Sequence, residues 1–117
     1  MPNLTYLASP YFHPDRVVRM ARYEAAVDAS ARMFSAGEFV FSPIVLCAEA
    51  AERHGLPTDF DFWRAFDTRM IGACDSLAVL MIPGWDVSKG IAAEVAIART
   101  MGLPVRYVNP AAYEVRV

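Results

Sequence analysis

Two carboxylates stand where their helices otherwise present apolar side chains. Residues 91–98 hold seven apolar residues and one acid, Glu94. A helix that apolar on every side belongs in an interior, and a glutamate is rarely buried there without a partner. The second acid is Asp67. On a helical wheel with Trp63 at zero, Phe60, Phe66, Met70, Ile71 and Cys74 fall between about −60° and +80°, and Asp67 falls inside that arc at about +40°. Arg64, Asp61, Thr68 and Arg69 take the opposite side. Either acid alone has a structural explanation, in which an arginine or a backbone amide neutralises it. Two inward acids able to reach one edge of a sheet favour a site. A carboxylate pair suits glycosidic bond cleavage: one acid meets the sugar carbon as positive charge builds there, and the other protonates the leaving group.

Glu94 has a local feature that suits such a role. Side chains of a helix lean toward its N-terminus, so Glu94 leans over Gly90, which carries no side chain to block it. Gly90 weakens the helix by about 1 kcal/mol relative to alanine. Space beside a carboxylate is a return on that loss. The chain has no P-loop, GxGxxG, zinc-ligand spacing or Gly-x-Ser-x-Gly. No cofactor and no metal are implied. His13 and His54 sit beside prolines or glycines and are expected in surface loops.

The elements that must position these residues alternate between strand and helix. Residues 4–8 form an apolar run ended by Ser9-Pro10 and read as a buried strand. Residues 16–36 follow with a near-3.6 period and are expected to be helical, closed by Gly37. A short strand is expected at 39–41, a helix at 44–53, and a break at His54-Gly55-Leu56-Pro57. Thr58 is the expected cap of a third helix over 59–73. Residues 76–82 give the strongest strand signal, stopped by Pro83-Gly84. Ser88 is the expected cap of a fourth helix running to about residue 101, and 105–108 read as a last strand. The tail from Asn109 onward is left unassigned. This order predicts an α/β fold: three layers, with a doubly wound, mainly parallel sheet of four to five strands and helices on both faces. Ligands in such sheets bind at the carboxyl ends of the strands.

Composition agrees with one folded unit over residues 1–117. Of 117 residues, 56% are hydrophobic and 21% charged, which excludes a disordered chain. Eleven basic and 13 acidic side chains give a net charge of −2. No basic tract invites a nucleic-acid polymer or an anionic membrane. No run of 18 apolar residues and no basic leader precedes the first strand, so neither a membrane helix nor a signal peptide is expected. Cys47 and Cys74 are expected to be reduced core residues of a cytoplasmic protein.

Tyr6 on the first strand, Asp67 upstream of Cys74-Asp75, and Ser88-x-Gly90-x-x-x-Glu94 follow one another in an order that resembles the nucleoside 2-deoxyribosyltransferase-like superfamily. The chain looks most like a small bacterial branch of it, related to the nucleoside 5′-monophosphate N-glycosidases, and the likeness spans residues 4 to about 108. The resemblance implies that Glu94 is a nucleophile attacking C1′ of the sugar, that Asp67 protonates or anchors the leaving base, and that the Tyr6 hydroxyl steers Glu94. It implies a small-molecule nucleoside or nucleotide as ligand, and a homodimer or larger homo-oligomer.

In the transferases the position of Ser88 is an aspartate facing a free 5′-hydroxyl; in the monophosphate hydrolases it is a serine near the phosphate. Ser88 here resembles the hydrolases, and it equally suits an ordinary helix cap. Ser9 can add a second hydroxyl, while Pro10 removes an N–H from a loop that is glycine-rich in relatives. Trp85 has two readings, stacking on a base or covering the sheet edge. Asp75 lies at the amino end of its strand and is read as structural. Lys89 stands near the expected mouth and is read as solvated. The function expected is an N-glycosidase or 2-deoxyribosyltransferase acting on a nucleoside or its 5′-monophosphate. The alternatives are a nucleotide-binding module without turnover and a structural oligomerisation domain.

Overall fold

A computed structural model describes residues 3–112. The chain runs β1 (Leu4–Ala8), α1 (Arg16–Ser35), β2 (Phe39–Phe41), α2 (Pro43–His54), α3 (Phe60–Ala73), β3 (Ser76–Leu80), α4 (Lys89–Thr100) and β4 (Val105–Val108). Short 3₁₀ turns occupy Trp85–Val87 and Pro110–Ala112. The four described strands form one parallel sheet in the order β2-β1-β3-β4.

Strand alternation divides the core in two. Tyr6 and Ala8 of β1, with Leu77 and Val79 of β3, face Ile71 and Cys74 at the end of α3 and Ile91 and Ala98 of α4. Leu7, Ala78 and Leu80 point the other way, onto Ala29 and Met33 of α1. Successive side chains on a strand alternate faces, so each strand serves both layers. The β1-α1-β2 and β3-α4-β4 crossovers move in opposite directions from the centre of the sheet. Right-handed crossovers then require their helices on opposite faces. This is the expected three-layer, doubly wound α/β fold, and its strand order reverses between β1 and β3.

The helix boundaries follow local chemistry. Asp15 caps α1 by accepting from the Val17 N–H at 2.9 Å. Ser42 caps α2 through the Val45 N–H at 3.2 Å, with Pro43 at the first helical position, so α2 starts one residue earlier than expected. The cap of α3 is Asp59, which accepts from the Phe62 N–H at 3.3 Å, and not the expected Thr58. Ser88 caps α4 as expected, its Oγ accepting from the Ile91 N–H at 3.2 Å. β3 stops at Leu80, two residues before the expected end, because the Ile82 N–H turns back to the Leu80 carbonyl at 2.9 Å. At the other edge of the sheet, the Asp75 carboxylate accepts from the Leu4 N–H at 2.8 Å, which bears out its structural reading.

Candidate active site

At the carboxyl edge of β1 and β3 a cavity of about 790 Å³ opens between α2, α3 and the start of α4. Its position is the switch in strand order, where open α/β sheets hold their ligands. Asp67 and Glu94 both line it.

Each acid reaches the cavity because of its place on an inward stripe. On α4 the buried residues are Ile91, Glu94 and Ala98, one helical face with a carboxylate at its centre. On α3 they are Asp67 and Ile71, one turn apart. Glu94 is 5% exposed and Asp67 7% exposed. Tyr6, fully buried on β1, rises between them, and its hydroxyl donates a hydrogen bond to Oε2 of Glu94. Its ring rests on Phe41 of the neighbouring strand, with centroids 5.7 Å apart.

Burial dominates the electrostatics. It pushes the Glu94 carboxyl up to about 8; the Tyr6 hydroxyl opposes that shift and the charge of Asp67 adds to it. Asp67 is pushed up to about 6, again by burial, with Tyr6 acting the other way. The Tyr6 phenol is held far above its usual range, first by burial and then by the two acids, so it stays protonated and can only donate to them. Among the described residues neither acid has an arginine or lysine in ion-pair contact. Neutralisation by a buried arginine, one of the structural explanations for these acids, has no counterpart among the described residues. Two buried acids flanking one phenol, open to a cavity, can hold and move a single proton between them.

The other expected residues divide. Ser9, Ser88 and Gly90 line the cavity. A Cβ placed on Gly90 would meet only the Ser88 Oγ, at 3.8 Å, so packing does not force a glycine there. Trp85 is not among the residues that line the cavity. The 3₁₀ turn carries it over β4, where its ring packs on Tyr107 with centroids 5.6 Å apart, covering the sheet edge. His13, expected on a plain surface loop, is half-buried in the cavity wall, with Nδ1 accepting from the Asp15 N–H at 3.0 Å. Cys47, expected in the core, is half-buried and lines the cavity; Cys74 is buried, and both are free thiols.

Arg22 of α1 was not foreseen. Its Nη1 donates to the Phe12 carbonyl at 2.8 Å, and the side chain enters the cavity wall against Gly84. The available signal was spacing: Arg16, Arg19 and Arg22 recur every three residues along one side of the helix. Arg19 uses that position differently, bridging Glu52 of α2 at 2.7 Å and the His13 carbonyl at 2.7 Å. Tyr11 also donates to Glu52, at 2.7 Å. The 9–15 loop is thereby tied to α1 and α2. Among the described residues no three His, Cys, Asp or Glu side chains gather as a metal site, and no helix is long and apolar enough to cross a membrane.

The fold is nucleoside deoxyribosyltransferase-like. A solved structure of 2-deoxyribosyltransferase from the psychrotolerant bacterium Bacillus psychrosaccharolyticus matches 97% of this chain and 77% of its own, with a TM-score of 0.61 and 24% identity. The chain itself belongs to the family described as Domain of unknown function (DUF1937), whose model matches residues 3–109. No curated protein sequence gives a significant match.

Proposed function

We propose that this protein cleaves the bond between base and sugar in a nucleoside or nucleoside 5′-monophosphate, with Glu94 as nucleophile. The observation that carries the reading is the buried Glu94 carboxylate, held by the Tyr6 hydroxyl, beside a second acid in an open cavity at the switch point of the sheet. Likeness of fold to a 2-deoxyribosyltransferase supports it.

The chemistry is a double displacement. An oxygen of ionised Glu94 attacks C1′ as the C1′–N bond breaks, and the bond pair leaves with the base. Asp67 delivers its proton to the departing nitrogen. The result is a glycosyl ester on Glu94 and an ionised Asp67. Water then attacks C1′, Asp67 takes its proton, and Glu94 departs as carboxylate; a second base in place of water gives transfer. Tyr6 donates to the nucleophile, favouring its charge and fixing its direction. The expectation of a homo-oligomer belongs to the same proposal and is supported by the exposed apolar side chains Phe39, Leu46 and Phe62.

The test is chromatography of free bases after incubating the protein with mixed nucleosides and 5′-monophosphates. Base release that disappears in Glu94→Ala supports the proposal; a folded parent chain that frees no base from a wide panel overturns it. One observation favours a second reading. Burial pushes the Glu94 carboxyl toward its neutral form, and a neutral carboxyl is a poor nucleophile. A binding module without turnover would show nucleotide binding equal in the parent and Glu94→Gln, with base released by neither.

A further inference from the structure

The loop over residues 9–15 supplies one side of the cavity wall, yet its own backbone does not hold it there. Its two ends are fixed, by the fully buried Pro10 and by Asp15 at the start of α1. Between them, residues 11–14 make no backbone-to-backbone hydrogen bond among the described residues. Side chains take over that task. Arg19 Nη1 donates to the carbonyls of His13 at 2.7 Å and Pro14 at 3.1 Å. Arg22 Nη1 donates to those of Phe12 at 2.8 Å and, more loosely, Tyr11 at 3.5 Å. Two arginines about one turn apart on α1 thus serve four consecutive carbonyls.

The remaining tie comes from α2. One oxygen of Glu52, Oε1, accepts from the Tyr11 hydroxyl and from Arg19 Nε, each at 2.7 Å. Glu52 therefore holds the loop twice, directly by a side chain and through Arg19 by the backbone. The bond from Arg19, with that from Tyr11 added, keeps the Glu52 carboxyl below its usual range, so it stays charged. Hydrogen bonds to such a group are stronger than those between neutral partners.

Behind the loop there is room. A second cavity of about 280 Å³ is lined by Phe12, Arg19, Glu52 and Leu56 among others. Phe12, Ala51 and Thr58 stand in the walls of both cavities. Phe12 is 60% exposed in spite of its size. Apolar packing fixes the strands of the sheet, but this stretch of loop is backed by space and placed by polar ties. Segments held in that way open most easily in a folded protein.

We infer that Glu52 is a positioning residue for the main cavity: it latches the 9–15 loop forward, and the smaller cavity is the space into which the loop retreats when the latch opens, so the main cavity has a narrow and a wide form. Glu52 does this without lining the main cavity itself. The latch goes beyond the glycosidase reading and holds whatever the cavity takes.

Cys47 is the reporter, a half-buried thiol in the wall of the main cavity, whereas Cys74 is buried. The test measures, at one pH on the whole chain, the rates at which Cys47 reacts with iodoacetamide and with a bulky nitrobenzoate disulfide, with Cys47→Ser identifying the signal. Both reagents need the thiolate, so the ratio of the bulky to the small one reads width and not ionisation. Glu52→Ala should raise that ratio about tenfold, the scale of losing a hydrogen bond to a charged group. Tyr11→Phe loses one of the two bonds, keeps the ring, and should raise it several-fold. Glu52→Gln keeps an acceptor in place and should stay close to the parent, which separates the latch from the charge. Glu49→Ala breaks the exposed pair with Arg53 on the same helix and should leave the ratio unchanged. A ratio that moves in neither Glu52→Ala nor Tyr11→Phe, or that rises as much in Glu52→Gln or Glu49→Ala, overturns the latch. Should Glu52→Ala fail to fold, Tyr11→Phe against the parent decides. Base release plays no part in this test, so failure of the latch and failure of the glycosidase reading are scored apart.

Discussion

The Tyr6 hydroxyl donates to the Glu94 carboxylate across 88 residues of sequence, joining the centre of β1 to the inner face of α4. Burial drives Glu94 toward its neutral form, and the phenol drives it toward its charged form. The balance between these two effects sets how reactive the carboxylate is near neutral pH, and each side of it can be perturbed.

Tyr6→Phe removes the donor and keeps the ring against Phe41. Turnover should fall by about 10²–10³, the usual loss for one preorganised donor to a reacting group. The pH at which Glu94 ionises should also rise, because the group favouring its charge is gone. A pH–rate profile checks both; unchanged turnover would make the hydroxyl structural only.

Asp67 and Glu94 titrate as a pair. With one acid pushed up to about 6 and the other to about 8, the pair holds a single proton between those values. In that state burial favours the proton on Glu94; the proposed reaction draws on the tautomer with the charge on Glu94 and the proton on Asp67. Turnover should therefore trace a bell between roughly pH 6 and 8. Asp67→Asn should abolish the alkaline fall and slow the reaction most for poor leaving bases, as steady-state rates across pH will show.

Stability should carry the mark of Glu94. Its ordinary value of 4.5 applies to the unfolded chain, and burial raises it in the folded one. Below 4.5 both states are protonated and nothing is lost. Between 4.5 and about 8 the unfolded chain releases the proton and the folded chain holds it, so stability falls as pH rises and levels off above about 8. Glu94→Gln cannot ionise. It should match the parent near pH 4.5 and exceed it above pH 8 by on the order of a few kcal/mol, measured by urea unfolding at both pH values.

Gly90→Ala should separate structure from function. The added methyl meets only the Ser88 Oγ, at 3.8 Å, and raises helix propensity, so the variant should gain up to about 1 kcal/mol of stability. The same methyl enters the wall of the cavity that Glu94 also lines, and turnover should fall. A more stable, less active protein is the expected result; equal activity would remove Gly90 from the site.

Much of the scaffold was legible in the sequence because its signals are local. Pro-Gly and Ser-Pro pairs end the strands, apolar runs mark them, and Ser88 caps α4 where expected. Asp67 and Glu94 stood out because a helix wheel exposes any charge on an apolar face. Partners across the fold were less legible. Trp85 offered equal grounds for two places, and its contact with Tyr107 of β4 could not be read from the sequence. Thr58 and Asp59 are both good caps, one residue apart, so sequence favoured neither strongly. Arg22 passed unseen because an arginine on a long helix reads as solvated until the loop it clasps, the Phe12 carbonyl and the Gly84 backbone come into view.

The chain's two tryptophans have parted company: Trp85 packs at a tilt against Tyr107, whereas Trp63 forms part of the cavity wall, its indole N–H donating to the Pro57 carbonyl at 2.8 Å and its ring edge-on to Phe62. The molecule therefore carries an intrinsic optical probe. Occupancy of the cavity should quench or shift Trp63 emission while that of Trp85 serves as internal reference, and Trp63→Phe should silence the response, so ligands can be screened without a label and without any assumption about turnover.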